Sequence, residues 1–373
     1  MLYVIALLAC IDEGHTGDTA DTGDTGDGAP IRRVPAEWEP QAAIWIQWTR
    51  RYEQAYEGDM ALIVAAVLDY EDVHLLVHDA QTRAAAEASL ATDGGLSAAV
   101  IAGGASAAGF TLTWHDIPND NAWIRDNGPV YVEEDGVMRI QDWGFDGWGD
   151  AFGEIPFADD DAVPVAIGAV LDMPVDTVKW VHERGNLEFN GLDTVVLNWS
   201  TIGDPNRNPG LTREQAVQLM ESRFGVTRVV IVEGAPEGDL TGGHIDGIAR
   251  FIDAERIVVA DCSAESACEP GGHDDLIYDA AAAALSEAGL EVIRWSFQTS
   301  VRYRGVDLDT DYMNWLVGNG FVIATGFGDV PADAAAQVQL GDWFPGRDIL
   351  VIPMLASWYA GGGAHCHTND QPR

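Results

Sequence analysis

The sequence predicts an α/β fold. Short apolar runs typical of buried β-strands alternate along the chain with longer segments of helical periodicity, which is the pattern of α/β proteins. With 373 residues and a hydrophobic content of 47%, the chain can bury a large core. Because no break in composition follows residue 30, we expect a single folded domain over residues 31–373.

The predicted strands are apolar, largely β-branched runs bounded by polar or turn-forming residues. They cover residues 73–77, 130–132, 194–197, 226–232, 257–260, 321–324 and 349–352. The clearest helix follows Thr212, because Thr212 and Gln215 have the spacing of a capping box and Gly225 provides a stop. The alanine-rich segment 279–288, closed by Gly289, predicts a second helix.

Residues 1–30 differ in composition from the rest. Residues 1–9 form a short apolar run before Cys10, as in a bacterial lipoprotein signal peptide whose cysteine becomes lipidated. The Gly/Asp/Thr-rich residues that follow, up to residue 30, cannot bury enough surface to offset their ordering, so we expect a flexible linker. Together they predict an exported protein, anchored to the cell envelope through Cys10. An unprocessed N-terminus and weak calcium binding by the Asp-rich repeat stay open.

The net charge of −40 excludes some partners. Such a surface repels phosphate backbones, which argues against nucleic-acid binding, and it concentrates small cations. Solubility in salty surroundings is the simpler explanation of the charge and stays open. No run of 18 apolar residues predicts a spanning helix, so membrane contact would depend on the lipid alone. The sequence leaves the oligomeric state open, a homodimer included.

The four cysteines do not form a disulfide framework. Cys262 and Cys268 are close enough in sequence to bridge in an exported protein, and two free thiols are the alternative. Cys366 has no obvious partner, and a lone thiol in an exported protein calls for a functional explanation.

Five segments place reactive or charged side chains beside glycine-rich or turn-like backbone. They are 119–129 (NDNAWIRDNGP), 143–150 (WGFDGWGD), 183–190 (ERGNLEFN), 241–250 (TGGHIDGIAR) and 361–368 (GGGAHCHT). We expect His244 and Asp246 to lead into a strand near residues 248–252, which would project both side chains to one side. In the first segment, Trp123 and Asp126 suit a flat cation, by stacking and by hydrogen bonding.

Each segment alone has a simpler explanation, such as a structural ion pair or a buried cysteine, but together they support two chemistries. In the first, Cys366 is a nucleophile served by His244. In the second, His244, Asp246, His365 and His367 bind a metal. The thiol chemistry accounts better for the acids, because an acid-lined pocket beside a thiol would hold a guanidinium, which is planar, charged and donor-only.

These segments resemble the agmatine deiminase and Porphyromonas-type peptidylarginine deiminase family of the guanidino-modifying superfamily. The resemblance covers nearly everything after the linker. It rests on VPAEWEP (34–40) with Trp45 and Trp48, on RDNGP (125–129), NRNP (206–209) and GHID (243–246), and on the final GGGAHC (361–366).

The resemblance implies a five-bladed α/β propeller (the pentein fold) of pseudo-repeated ββαβ units, with the site on the central axis and with no metal or organic cofactor. It implies Cys366 as nucleophile, His244 as acid/base, and Asp126 and Asp246 as guanidinium ligands, with Trp123 flanking the substrate. The implied reaction is attack of the thiolate on the guanidinium carbon, loss of ammonia and hydrolysis to a ureido product. Two acids beside a thiol should raise its pKa, so we expect substrate binding to promote the thiolate.

The expected substrate is a small cationic guanidino compound or an arginine side chain. Since residues 140–178 contain no Lys or Arg to bind a carboxylate, agmatine, giving N-carbamoylputrescine, is favoured. Asp146 and Glu183 are candidate amine ligands, and Gly363 is expected to line the substrate site. Arg184 and the predicted export keep peptidylarginine open as the alternative.

Other classes of function also stay open. A metal-dependent hydrolase, a thiol protease, an amidinotransferase and a non-catalytic guanidino-binding lipoprotein are each compatible with part of the pattern. The intact set of thiol, histidine and two acids argues against a purely binding role.

Overall fold

Strands and helices alternate along the chain in the computed structural model, which describes residues 30–153, 155–263, 266–296 and 299–373. The predicted signal peptide (1–9), the lipidated Cys10 and the linker up to residue 29 lie outside the described residues and stay predictions. Residues 31–373 form one unit. Within the described part of the chain, no helix has the length and apolar character needed to cross a membrane.

The strands, in chain order, are β1 (Arg32–Arg33), β2 (Gln41–Gln47), β3 (Asp72–Val77), β4 (Leu112–Asp116), β5 (Val130–Glu134), β6 (Val137–Gly144), β7 (Val175–Val181), β8 (Glu188–Phe189), β9 (Thr194–Asn198), β10 (Arg228–Val232), β11 (Ala249–Phe251), β12 (Arg256–Ala260), β13 (Glu291–Trp295), β14 (Thr299–Tyr303), β15 (Val306–Thr310), β16 (Leu316–Gly318), β17 (Phe321–Gly326), β18 (Asp348–Pro353) and β19 (Thr368–Pro372).

The α-helices are α1 (Glu57–Val67), α2 (Ala80–Thr92), α3 (Ala98–Ile101), α4 (Ile124–Asn127), α5 (Gly147–Asp150), α6 (Ala158–Asp161), α7 (Val163–Leu171), α8 (Trp199–Ile202), α9 (Arg213–Phe224), α10 (His273–Glu287), α11 (Val330–Trp343) and α12 (Leu355–Ala360). Short 3₁₀ helices span Arg51–Tyr56, Arg184–Asn186 and Ile245–Gly247.

One strand arrangement recurs in the sheets. In β8–β9–β10, in β11–β12–β13 and in β16–β17–β18, an antiparallel pair is followed by a parallel pair. The strands β5, β6 and β7 repeat this order, with β1 added at the edge. The sheet β19–β2–β3–β4 does so as well. A parallel pair needs a long crossover, and helices such as α10 and α11 provide it. The hairpin β14–β15 stands outside this pattern.

Local signals in the sequence explain several of these elements. Thr212 accepts a hydrogen bond from the backbone N–H of Gln215 at the start of α9, and Gly225 ends the helix with a φ of 71°. The predicted strands all fall on observed ones. The strand expected near residues 248–252 is observed as β11 (Ala249–Phe251), and His244 and Asp246 lead into it as expected. Strand alternation does not place their side chains, however, because residues 245–247 form a 3₁₀ turn.

The cysteine alternatives are resolved in favour of a bridge. Cys262 and Cys268 form a disulfide, with their Cα atoms 5.3 Å apart, whereas Cys366 is a buried free thiol.

Strand β19 follows Cys366 directly and pairs antiparallel with β2, with Thr368 opposite Ile46. Its buried Asp370 accepts ion pairs from two arginines, Arg125 at 2.9 Å and Arg184 at 2.7 Å. Arg125 lies in α4 and Arg184 in the 3₁₀ turn at 184–186. A single carboxylate therefore fastens three separate segments of the chain together.

We expect Asp370→Asn to destabilise the protein by about 3–5 kcal/mol, because it leaves two buried guanidinium groups without their anion. The matched control is Asp176→Asn, which removes a half-exposed ion pair with Arg139 at 2.7 Å and should cost at most about 1 kcal/mol. Urea unfolding followed by tryptophan fluorescence measures both. If both variants lose the same free energy of unfolding, Asp370 does not hold the three segments together in the way described.

Candidate active site

The free thiol of Cys366 is held in a buried turn between α12 and β19, with 8% of the residue exposed. The side-chain amide of Asn314 lies 3.1 Å from the sulfur, and its oxygen accepts the backbone N–H groups of His365 and Cys366 at 3.1 and 3.3 Å. Asn314 therefore fixes both the backbone and the sulfur of Cys366.

Glycine at position 362 is required by the approach of the thiol. A Cβ added there would lie 2.8 Å from the sulfur of Cys366 and 2.8 Å from the ring of Trp123. Gly363 is equally restricted, since its Cβ would lie 2.1 Å from the hydroxyl of Thr325. The glycine run of the sequence thus lets the backbone pass closely behind the nucleophile.

Asp246 lies on one side of the thiol, with its Oδ2 atom 3.9 Å from the sulfur. The same oxygen accepts hydrogen bonds from Asn314 at 3.1 Å and pairs with Nδ1 of His365 at 2.8 Å. His365 contacts Glu37 through its other nitrogen at 3.0 Å, and Glu37 also binds Arg250 at 2.8 Å. Asp246 is therefore oriented by a buried chain of polar groups.

His244 is buried among carboxylates. Its Nδ1 atom lies 3.4 Å from Asp126, and its Nε2 atom lies 3.8 Å from Glu183. Neither ring nitrogen has a hydrogen-bond partner among the described residues. A Cβ at Gly185 would come within 2.6 Å of both Asp126 and His244, so only glycine fits beside this pair.

Two tryptophans border the thiol. Trp148 donates from its indole nitrogen to Asp126 at 2.9 Å, and its φ of 61° is a left-handed conformation that is rare for a bulky residue. Trp123 stacks on His367 with ring centroids 4.2 Å apart. Backbone strain at Trp148 is typical of residues that a functional site holds in a fixed position.

The surrounding charges shift the pKa values of Cys366 and His244. Burial and the nearby Asp246 and Asp126 raise the pKa of the Cys366 thiol well above its usual range. Burial alone would lower the pKa of His244, but Asp126 and Glu183 outweigh it and raise this pKa to about 9. At neutral pH the site therefore favours a neutral thiol at Cys366 and an imidazolium at His244.

The two acids around His244 differ. Burial raises the pKa of Asp126 to about 7, partly offset by His244. Burial acts in the same direction on Glu183, but Arg207, which donates to it at 2.8 Å, and His244 together outweigh burial and lower its pKa to about 2. Glu183 is thus a permanent anion, whereas Asp126 can exchange a proton near neutral pH.

Two adjoining cavities reach the thiol. One, of about 170 Å³, is lined mainly by aromatic and aliphatic side chains, including Trp123, Trp148 and Phe152, and also by Asp126. The other, of about 450 Å³, contains His244 and Asp246 and is rich in carboxylates. Among the described residues, no arginine or lysine lines either cavity. The thiol therefore faces an environment suited to a cation.

The metal alternative is not supported by the geometry. The ring nitrogens of His367 contact the hydroxyl of Ser357 and the carbonyl of Ala122 at 2.6 and 2.9 Å, so His367 does not converge with His365 on one point. Within the described ranges, the group with three close ligand atoms is Asp261, Asp275 and Asp279, which does not include the residues proposed for a metal.

Some of the predicted site residues line the two cavities and others do not. Cys366, His244, Asp126, Asp246 and Trp123 come together around the two cavities. Three others do not line a cavity: Glu183 pairs with Arg207 behind His244, Asp146 caps α5 by accepting from Gly149 at 2.7 Å, and Gly363 packs on Thr325.

Sequence reasoning missed three groups. Trp148 lies in a segment that it selected, but the chosen residue there was Asp146. The role of His365 as a bridge from Asp246 to Glu37 appears only in three dimensions. Asn314 gave no signal, since DYMNW (311–315) contains no glycine and no paired reactive group.

Comparison with known proteins points to one family. The sequence profile of the Porphyromonas-type peptidyl-arginine deiminase family matches residues 33–372. The agmatine deiminase of Pseudomonas putida strain KT2440 is 29% identical over 374 residues, which cover 91% of this chain and 95% of that protein. That of Stutzerimonas stutzeri is 26% identical over 372 residues, with the same coverage.

Solved structures show the same fold. A substrate-bound agmatine deiminase of C. jejuni matches with a TM-score of 0.79 at 18% identity, covering 95% of this chain and 99% of that one. The agmatine deiminase of Enterococcus faecalis matches with a TM-score of 0.77 at 23% identity, covering 92% and 96%. The family resemblance found in the sequence motifs is confirmed, and the mixed α/β fold is shared.

The raised pKa of Cys366 predicts slow alkylation at neutral pH. We expect iodoacetamide labelling of Cys366, followed by mass spectrometry, to accelerate with pH beyond the ordinary thiol value of about 8.5. Asp246→Asn should shift this profile to lower pH because it removes a nearby negative charge, whereas Asp311→Asn, the control, should not. A thiol pKa well below 7 in the free protein would contradict the raised pKa of Cys366.

Proposed function

We propose a reaction for this chain, which belongs to the Porphyromonas-type peptidyl-arginine deiminase family and is an enzyme of the deiminase type. The reaction is cysteine-dependent hydrolysis of a guanidino group to a ureido group, with release of ammonia. One observation carries the proposal: a buried free thiol lies between two carboxylates, in cavities that no described arginine or lysine lines. Relatives named agmatine deiminase support it.

The two carboxylates suit a guanidinium. Asp126 lines the aromatic cavity and Asp246 the acidic one, and Cys366 lines both. A guanidinium offers donors along its edges and accepts nothing, so it can bridge two acids with its carbon next to the sulfur. Each charge-assisted hydrogen bond of this kind is worth about 1.5–3 kcal/mol. Trp123 and Trp148 would cover the cation and exclude water.

The chemistry then follows in two stages. As the guanidinium binds, the Cys366 thiol releases its proton to solvent, and the thiolate attacks the guanidinium carbon. The protonated His244 transfers its proton to a departing nitrogen, so that ammonia leaves and a thiouronium remains. The neutral His244 then takes a proton from water, and the resulting hydroxide attacks the same carbon. The adduct expels the sulfur, its hydroxyl proton restores the thiol, and the ureido product leaves both residues in their starting states.

The bound guanidinium also favours formation of the Cys366 thiolate. In the free site, burial and two carboxylates hold the pKa of Cys366 high, so little thiolate is present. A guanidinium placed between Asp126 and Asp246 neutralises their effect and adds a favourable charge beside the sulfur, which lowers that pKa. Substrate binding and activation of the nucleophile are in this way the same event.

The favoured substrate is agmatine, converted to N-carbamoylputrescine. Arg125 and Arg184, which adjoin Asp126 and Glu183 in sequence, are both bound to Asp370, and among the described residues no arginine or lysine lines either cavity to balance a substrate carboxylate. A second candidate is arginine within an exported peptide. The exposed apolar side chains of Tyr52, Phe152 and Leu240 around the aromatic cavity favour it, since they could support a peptide chain.

We also propose that the fold is a five-bladed propeller. The five sheets that share the order of one antiparallel and one parallel pairing would be its blades, each built from a ββαβ unit. The site residues come from loops between these units, as expected for a site on a central axis.

Ammonia release tests the reaction. We expect the purified chain to release ammonia from agmatine, to release less from free arginine and from peptides with internal or C-terminal arginine, and to lose activity at least about 10³-fold with Cys366→Ala.

One double variant serves as a control for that assay. Cys262→Ser with Cys268→Ser removes both sulfurs of the disulfide but keeps the free thiol of Cys366, so ammonia release should persist. Ammonia from peptides but not from agmatine would select the second candidate. No ammonia from any guanidine, relative to Cys366→Ala, would refute the reaction.

The pH dependence of kcat/KM should be bell-shaped. His244 is protonated below its raised pKa of about 9, so the general acid is lost as the pH rises through this value. Asp126 becomes protonated as the pH falls through about 7, which removes a guanidinium ligand. Initial rates between pH 5 and 10 measure both limbs, within about one pH unit. A rate that does not fall as the pH drops through about 7 would remove Asp126 from the role of guanidinium ligand.

A further inference from the structure

The two acids assigned to the guanidinium are held by the protein in the same way, through one oxygen each. Trp148 donates to Oδ2 of Asp126 at 2.9 Å, whereas Oδ1 of Asp126 is buried and has no hydrogen-bond partner among the described residues. In Asp246, Oδ2 accepts from the side-chain amide of Asn314 at 3.1 Å and lies 2.8 Å from Nδ1 of His365. Within the part of the chain that the structure describes, the hydrogen bonds of the Asp246 side chain all involve Oδ2. Each acid therefore keeps its Oδ1 atom for a ligand.

His365 belongs to the turn that carries the thiol. It immediately precedes Cys366 and is buried, with 2% of the residue exposed. Its backbone N–H and that of Cys366 donate to the same oxygen of Asn314, at 3.1 and 3.3 Å. From this turn the imidazole reaches Asp246, which lies 119 residues earlier in the chain. The contact through His365 therefore connects the carboxylate directly to the backbone that holds the nucleophile.

The opposite side of the imidazole is also fixed. Nε2 of His365 lies 3.0 Å from Oε2 of Glu37. Glu37 is held in turn by Arg250, which donates to Oε2 at 2.8 Å, and by the backbone N–H of Val317, which donates to Oε1 at 2.7 Å. A rotation of the ring would break both of its contacts with carboxyl groups, so the ring has one orientation.

The number of protons available assigns the tautomer of His365. An ionised carboxylate only accepts hydrogen bonds, so the contact with Asp246 needs a proton on Nδ1. Burial lowers the pKa of His365 to about 3, and the nearby Arg250 acts in the same direction, so the ring is neutral and has a single N–H. Burial raises the pKa of Glu37, so a proton on Glu37 can complete the contact with Nε2. Both contacts are then satisfied when Nδ1–H points to Asp246.

We propose that His365 is a positioning residue of this site, whose Nδ1–H fixes Oδ2 of Asp246 and leaves Oδ1 available to the guanidinium beside the sulfur of Cys366. The inference rests on the deiminase function proposed above and adds to it a residue that acts on the substrate only through Asp246. His365 has in this respect the same relation to Asp246 that Trp148 has to Asp126.

NMR of isotope-labelled histidine tests the tautomer in a protein whose ring is unaltered. The couplings between the ring nitrogens and the ring C–H protons show which nitrogen carries a proton, and the signal that disappears in His365→Asn identifies His365. We expect a proton on Nδ1 at neutral pH. A proton on Nε2 alone would overturn the proposal, and this result does not depend on whether any variant folds.

Two substitutions separate the two ends of the imidazole. The amide nitrogen of asparagine lies close to the position of Nδ1, and that of glutamine lies close to the position of Nε2. His365→Asn therefore keeps a donor toward Asp246, and His365→Gln keeps one toward Glu37. In the Cys366→Ala protein, calorimetry should show agmatine binding at least about tenfold more tightly to His365→Asn than to His365→Gln, because only the second variant releases the carboxylate.

The comparison between these variants controls for loss of the ring itself. Both remove the imidazole, so a residue that only fills space would give equal binding in the two proteins. Equal binding, or tighter binding by His365→Gln, would overturn the proposal. For ammonia release, we expect the difference between the variants to lie mainly in KM, since Asp246 binds the guanidinium before and during the reaction.

These measurements separate the assignment of His365 from the reaction. If no guanidine is hydrolysed, but Nδ1 carries the proton and the two variants bind agmatine differently, the reaction fails and the assignment stands. If ammonia is released, but the proton is on Nε2 alone or the variants bind alike, the reaction stands and the assignment fails. N-acetylarginine amide replaces agmatine as the probe if only peptides react, and if neither compound binds, the position of the proton decides.

Discussion

The interaction on which the site most depends is the buried anion of Asp370 between two arginines. Arg125 immediately precedes Asp126, and Arg184 immediately follows Glu183, so the two pairings fix one carboxylate of the site and the anion behind His244. Asp370 itself lies four residues after Cys366, on the strand that begins at Thr368. The ion pairs thereby fix the relative positions of three segments that are distant in sequence. A packed apolar contact would not fix these positions with the same precision.

Near Asp370, the site contains an excess of buried negative charge, which destabilises the folded protein. Asp126, Glu183 and Asp246 are buried within a short distance of one another, and one histidine with fixed arginines offsets only part of their charge. A pocket built in this way is destabilised when empty and relieved by a flat cation. Selectivity then needs little further contact, since a neutral ligand leaves the carboxylates unpaired and a carboxylate-bearing ligand adds to the repulsion.

The sequence predicted the residue types of the site more fully than their surroundings. Cys366, His244, Asp126 and Asp246 were identifiable because each stands beside glycine or a turn, where backbone geometry restricts the choice of residue. Trp148, Asn314 and the link from His365 to Glu37 were not, because their roles depend on contacts between segments more than 20 residues apart. The alternation used to place His244 and Asp246 on one side failed for a similar reason: Gly242 and Gly243, with φ values of 86° and 95°, lead into a tight 3₁₀ turn before β11 begins.

The pairing of β19 with β2 has a consequence for folding. Trp45 on β2 hydrogen-bonds to Gln371 on β19 across a separation of 326 residues, which makes this among the most non-local contacts of the chain. Contacts of such long range form late, after local helices and hairpins. The nucleophile directly precedes β19, so the catalytic centre is assembled only when this long-range pairing with β2 has formed. Helices and hairpins that fold early therefore do not by themselves place Cys366 beside its acids.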